Sequence, residues 1–137
     1  MPEFSKKSKQ RLATCHPELQ RLFNGVIKEV DCSIIDGHRD EERQNRFYLE
    51  GKSKVKWPEG KHNKVPSEAV DAGPYIFGKG LSWDRAQCCY FAGRVLAKAE
   101  ELGIKIRWGG DWDGDNDVND QKFNDLVHFE LILPEGK

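Results

Sequence analysis

Residues 125–133 read DLVHFELIL, and the reading of this stretch decides the fold. From Val127 to Leu133 the side chains alternate with the period of a β-strand. Val127, Phe129 and Leu131 share one face, and His128, Glu130 and Ile132 share the other. A strand with an apolar face and a His/Glu pair opposite fits a sheet that packs on a core and carries a site. The competing reading is a half-exposed strand whose polar residues simply face water.

Working outward, residues 104–108 also read as a strand, joined to the first by a loop rich in Gly, Asp and Asn. Residues 83–102 form a long helix with Phe91, Val95, Leu96, Ala99 and Leu102 on its buried side, stopped by Gly103. Residues 68–72 look like a strand followed by the turn-rich GPYIFGKG. Residues 52–67 read as a long exposed loop, 40–50 as a polar helix and 32–36 as a short strand. Residues 17–30 carry the clearest helical signal, with Leu19, Leu22, Phe23, Val26, Ile27 and Val30 on one stripe. Helices and short strands mix without a regular βαβ rhythm. The expected fold class is therefore α+β, one domain over residues 1–137, with helices packed on a small antiparallel sheet.

Composition bounds the function. The 137 residues carry 22 Lys and Arg against 23 Asp and Glu, a net charge of −1. That balance disfavours a cationic nucleic-acid binder or a polybasic membrane-surface protein. The basic residues concentrate before about residue 65, and an Asp-rich loop follows position 110. Neutrality thus reads as two opposed patches around a possible metal cleft. No secretory signal and no membrane-spanning apolar run is visible. The four cysteines form no CxxC pair, which suits reduced thiols in a chain made in a cytoplasm. A monomer without membrane contact is expected.

His16, just before a helix, reads as a surface or cap residue and His38 as a structural or rim residue. His62 lies in the long loop, and Asp71 ends the strand after it. A carboxylate among small apolar residues needs a partner. Two imidazoles and a carboxylate with an open fourth position make a catalytic zinc arrangement. Asp125, three residues before His128, suits a base beside that site. Together these residues suggest His62, Asp71 and His128 on zinc.

Four segments in order, IIDGHRDEERQ, KHNKVPSEAVDAGPY, GIKIRWGGDWD and DLVHFEL, span residues 34–133. With them the chain resembles the zinc peptidases that cut D-amino-acid-containing peptides, a group that includes D-Ala-D-Ala carboxypeptidases and phage L-alanyl-D-glutamate endopeptidases. It is most similar to the small phage endolysins. The resemblance implies zinc on His62, Asp71 and His128, Asp125 as general base, and Arg39 holding substrate and the transition state. It implies peptidoglycan stem peptides as substrate, reached after release from the producing cell. One departure stands out. The usual motif S-x-H-x-x-G-x-A-x-D is shorter by two residues than the His62–Asp71 interval, and strict spacing would put Lys64 at the ligand position. A protonated ammonium is a poor zinc ligand, so His62 is kept.

Arg39 has an alternative reading as a structural salt bridge to Asp36 or Asp40. Glu130 is either a partner that orients His128 or a solvent-facing residue. Asp113, Asp115 and Asp117 have the alternate spacing of a calcium loop, and some phage endolysins of this type are similar in having one. The other reading is a solvated acidic loop. Trp112 could line a substrate groove, while Trp108 reads as core. The leading function is L-Ala–D-Glu cleavage. A D,D-carboxypeptidase on the same scaffold and a non-catalytic metal-binding wall module are the alternatives.

Overall fold

The molecule, a computed structural model, describes residues 2–119 and 125–133. Among these residues four α-helices, α1 (Lys6–Leu12), α2 (Pro17–Val26), α3 (Glu41–Leu49) and α4 (Arg85–Leu102), accompany five strands. The strands are β1 (Cys32–Asp36), β2 (Ala69–Ile76), β3 (Gly80–Leu81), β4 (Ile106–Gly109) and β5 (Asp125–Leu131). Every strand pair is antiparallel, in the order β1-β2-β5-β4, with β3 folding back on β2. The expected α+β class with an antiparallel sheet holds.

Each helix begins on a side chain that satisfies an otherwise unpaired backbone N–H. Ser5 caps α1, His16 caps α2 through Nδ1, Asp40 caps α3 and Asp84 caps α4. Gly103, at φ +72°, ends α4 in the left-handed region that favours glycine. The periodic stripe read to residue 30 stops as helix at Val26, because Glu29 N–H turns back to the Val26 carbonyl in a tighter bond.

One face of the sheet carries the core. Leu19, Leu22, Phe23 and Val26 of α2 and Phe91, Val95 and Ala99 of α4 bury against Ile34, Val70, Ala72, Phe129 and Leu131. Phe129 meets Phe23 and Phe91 edge-on, at centroid distances of 5.7 and 6.2 Å. Each of the Leu, Ile, Val and Phe side chains contributes about 1.5–3 kcal/mol by leaving water. The sequence reading missed α1 altogether. It is one short, polar segment without an apolar stripe, and it is held by tertiary bonds: Ser8 Oγ accepts from Ile34 N–H, and Arg11 Nη1 donates to the Ile34 carbonyl.

Two strand readings are corrected. β2 runs on through Ile76 instead of ending at Ala72, and the turn is confined to 77–79, with Gly78 and Gly80 at positive φ. Pro74 is tolerated there because it faces the first residue of β1, Cys32. β5 begins at Asp125 and ends at Leu131, leaving Ile132 and Leu133 exposed. Its faces also differ from strict alternation. Between the pairs Trp108↔Phe129 and Gly109↔Asp125, one step on β4 spans four residues on β5. This bulge turns Val127 away from the core toward the opposite face, while Leu126 packs on the core.

Candidate metal centre and catalytic cleft

The face of the sheet opposite the core forms the floor of a cleft of about 940 Å³. Asp71 and His128 are directly paired neighbours on β2 and β5. His62 comes from a 3₁₀ turn (Lys61–Asn63) at the end of the long loop. The ligand atoms of the three residues lie within 4.8 Å of one another. His62 Nε2 is 3.2 Å and His128 Nδ1 3.4 Å from Asp71 Oδ1, and the two rings sit 5.1 Å apart.

What surrounds these rings fixes their protons. His62 Nδ1 lies 2.7 Å from the Gly37 carbonyl, which only accepts, so Nδ1 carries hydrogen. His128 Nε2 lies 2.8 Å from Glu130 Oε1, again an acceptor. The inward nitrogens therefore point lone pairs, unless protonated a second time, at a carboxylate oxygen that also only accepts. Three such atoms converge, and either a second proton on a ring or a bound cation reconciles them. The donor set of two imidazole nitrogens and one carboxylate fits zinc, with each ring locked from behind as metal-binding histidines are. Lys64, the position that strict motif spacing favours, is exposed outside this group.

Without a cation, protons on the rings meet the same carboxylate. Burial alone would raise the Asp71 carboxyl, but the charges and hydrogen bonds of His62 and His128 hold it far below the usual range. Burial alone would lower His128, but hydrogen bonds to Asp71 and Glu130 lift it to about 9. Glu130, which burial would raise, is brought down to about 2 by His128 and Arg107. Asp125 is pushed up to about 6, by burial first and then by the Asp71 charge. It lines the same cleft, and the bulge in β5 is what lets it share a face with His128. Glycine is required opposite it: a Cβ on Gly109 would stand 2.1 Å from the Asp125 carbonyl oxygen.

Arg39 is buried, stacked 4.4 Å from the Phe47 ring centre. Its Nε donates to Asp36, its Nη1 to Gln44 and its Nη2 to Asp71 Oδ2. The structural bridge to Asp36 is present, whereas Asp40 serves as a helix cap. Arg39 thereby also grips the outer oxygen of Asp71. Sequence reasoning missed two residues that hold this corner together. Gln44, fully buried on a polar helix, accepts from Arg39 and from Asn63 and donates to Ser53 Oγ and the Val55 carbonyl. Asn63 donates to the Arg39 carbonyl and accepts from Gly60 N–H. Amides in a charged stretch give no signal in sequence.

A family profile described as phage L-alanyl-D-glutamate peptidase matches residues 2–132. The chain belongs to this family. Its sequence is 32% identical over 136 residues to the L-alanyl-D-glutamate peptidase of Escherichia phage T5, covering 95% of this chain and 98% of that one. Its fold is similar to the crystal structure of the Serratia marcescens L-Ala D-Glu endopeptidase ChiX. The TM-score is 0.73 at 26% identity, with 95% of this chain and 90% of that chain covered. The fold is also similar to that of the LD-carboxypeptidase LdcB, with a TM-score of 0.52 at 20% identity over 83% of this chain and 55% of that one.

In this phage peptidase family member the remaining sequence expectations fall as follows. Trp112 lines the cleft with its ring 5.3 Å from that of His128, and Trp108 is core, its Nε1 bonded to the Leu126 carbonyl. Glu130 is buried and bonded to His128, not solvent-facing. The acidic loop brings together Asp111, Asp113 and Asp115 rather than Asp113, Asp115 and Asp117. The chain turns back so that Asn116 N–H bonds Asp111, while Asp117 accepts from Asn119 N–H. The four cysteines are free. No helix among the described residues is long and apolar enough to cross a membrane.

Proposed function

We propose that the chain hydrolyses the L-Ala–D-Glu bond of peptidoglycan stem peptides, with zinc held by His62, Asp71 and His128. The observation that carries the metal reading is the convergence of three atoms able to ligate a metal within 4.8 Å of one another at the floor of the cleft. The family match over residues 2–132 and the likeness to two L-Ala–D-Glu peptidases favour this bond over D-alanine release. When bound, zinc polarises the scissile carbonyl and makes water more acidic.

The protein's own groups supply the rest. Asp125, pushed up to about 6 by burial and by Asp71 before any cation is bound, is the base; it takes the proton of the attacking water and returns it to the leaving amine. Arg39 engages three of its five N–H groups with Asp36, Gln44 and Asp71, which leaves two for a substrate oxygen. Glu130 orients His128 and keeps its inward nitrogen available. Trp112 shields that side of the imidazole.

A monomer that acts on the wall after leaving the producing cell completes the reading. Mass spectrometry of digested muropeptides tests it. The expected products are stem peptides that begin at D-Glu and glycan carrying only L-Ala. Freed D-alanine with an otherwise intact stem would reject the endopeptidase reading. Wall binding without any product would favour a non-catalytic module.

A further inference from the structure

The cleft has two chemically different ends along β2. At the start of the strand, Lys61 accepts Glu68 N–H on its carbonyl, and its ammonium reaches the Leu131 carbonyl and Glu130. Lys52 and Lys54 line the cleft from the same long loop. Beyond Asp71 the strand leads the other way. Gly73 is buried and faces the cleft side, since a Cβ there would meet Leu81, Ile35 and Val127, two of which line the cleft. By the two-residue alternation of a strand, Tyr75 lies on the same face as Gly73 and Asp71. Tyr75 pairs with Leu81 in the β2–β3 hairpin. Trp83, just after β3, lines the cleft and is 63% exposed, and Tyr75 is 42% exposed. The candidate metal centre thus sits between the end marked by Lys61 and an aromatic end. Large exposed aromatic rings beside a binding cleft mark a contact surface.

The chemistry of the substrate is as asymmetric as the cleft. In a stem peptide the L-Ala nitrogen is joined through a lactyl group to an amino sugar, whereas D-Glu and the residues after it carry carboxylates. The sugar therefore lies within about 7 Å of the scissile carbonyl, two residue lengths at most. An enzyme cutting this bond meets the glycan immediately beside its metal. Carboxylates suit the lysine end, and the C–H face of a sugar ring suits indole and phenol rings. We infer that the hairpin end of the cleft takes the muramic acid of the glycan strand, stacked on Trp83 and Tyr75, so that glycan-linked peptide is preferred over free peptide. The inference rests on the L-Ala–D-Glu reading above.

The test compares two substrates with the zinc-loaded enzyme: a stem tripeptide capped on L-Ala by N-acetylmuramic acid, and the same tripeptide capped by acetyl. The expected result is a kcat/KM about tenfold higher for the muramoyl substrate, carried by KM. Trp83→Ala, and Trp83→Ala with Tyr75→Ala, should shrink this advantage to below about threefold and leave the acetyl substrate within about twofold of wild type. Both side chains are exposed, and thermal melting confirms that the variants fold. Equal rates on both substrates in the wild type overturn the sugar contact while leaving the peptidase reading intact. An equal loss on both substrates in the variants assigns this surface to the peptide and also overturns it. So does a wild-type dimer that Trp83→Ala converts to monomer. Cleavage of neither substrate overturns the bond assignment itself and the inference with it.

Discussion

Asp125 and His128, three residues apart on one strand, face the same cleft, an arrangement that regular β-alternation forbids. The bulge in β5 makes it possible, and Gly109 on β4 leaves the room for it. The proposed base and the proposed ligand are thereby fixed to one another by backbone rather than by loop conformation.

Because Asp125 is in the cleft but outside the three-residue ligand group, Asp125→Asn should leave the metal content of the protein unchanged. Turnover should fall about 10²- to 10⁴-fold, the usual worth of a general base. Metal analysis and muropeptide digestion on the same preparation check both halves; retained turnover would remove Asp125 from the mechanism.

His62→Ala should abolish stoichiometric zinc, whereas Lys64→Ala should bind it as wild type does. His62 lies 3.2 Å from Asp71, while Lys64 is an exposed residue outside the ligand group. The reverse pattern would restore the strict motif spacing and displace His62.

Glu130→Gln should weaken zinc affinity about 10- to 100-fold, as loss of a partner behind a ligating histidine does. Chelator competition reads this out. The acid stability of the metal-free protein gives a second handle. Glu130 sits at about 2 in the fold, below its ordinary value of 4.5. Its contribution to stability is therefore present above about 4.5 and is lost as the pH falls through about 2. The Gln variant should lack that acid limb.

Asp125 has the opposite sign. Its folded value of about 6 lies above the ordinary 3.8. The neutral form is favoured in the fold, so its stabilising contribution is full below about 3.8 and lost as the pH rises through about 6. Asp125→Asn should make the metal-free protein more stable than wild type at pH 7 and close to it at pH 3.5, as measured by denaturant unfolding. A bound cation pulls the carboxyl down, so the acid limb of kcat/KM should lie below about 6.

Gly109→Ala should destabilise the fold by about 2 kcal/mol or more, since a Cβ there would overlap the Asp125 carbonyl and backbone gives way poorly. The melting temperature measures it. A neutral substitution would mean that the bulge is softer than described.

Much of this was legible in the residues. The stripe of α2 and the apolar face of β5 announce helix and sheet because burial imposes period on sequence. His62, Asp71, His128 and Asp125 stood out because their chemistry is unusual where they occur. What stayed hidden depends on partners distant in sequence. The α1 helix has no stripe of its own and lives on bonds to Ile34. The bulge that reverses Val127 arises from pairing with β4, and Gln44 becomes a hub only when Arg39, Asn63 and the long loop meet it.

The bonds from α1 to β1 have a consequence for life at high concentration. β1 ends the sheet path, and a terminal strand offers free N–H and C=O groups to any other extended chain. At Ile34 both groups are already taken, one by Ser8 and the other by Arg11. The N-terminal helix acts as a cover for this flank, denying a template to neighbouring copies. Ser8→Ala with Arg11→Ala would then reveal itself first as self-association, ahead of any loss in the cleft.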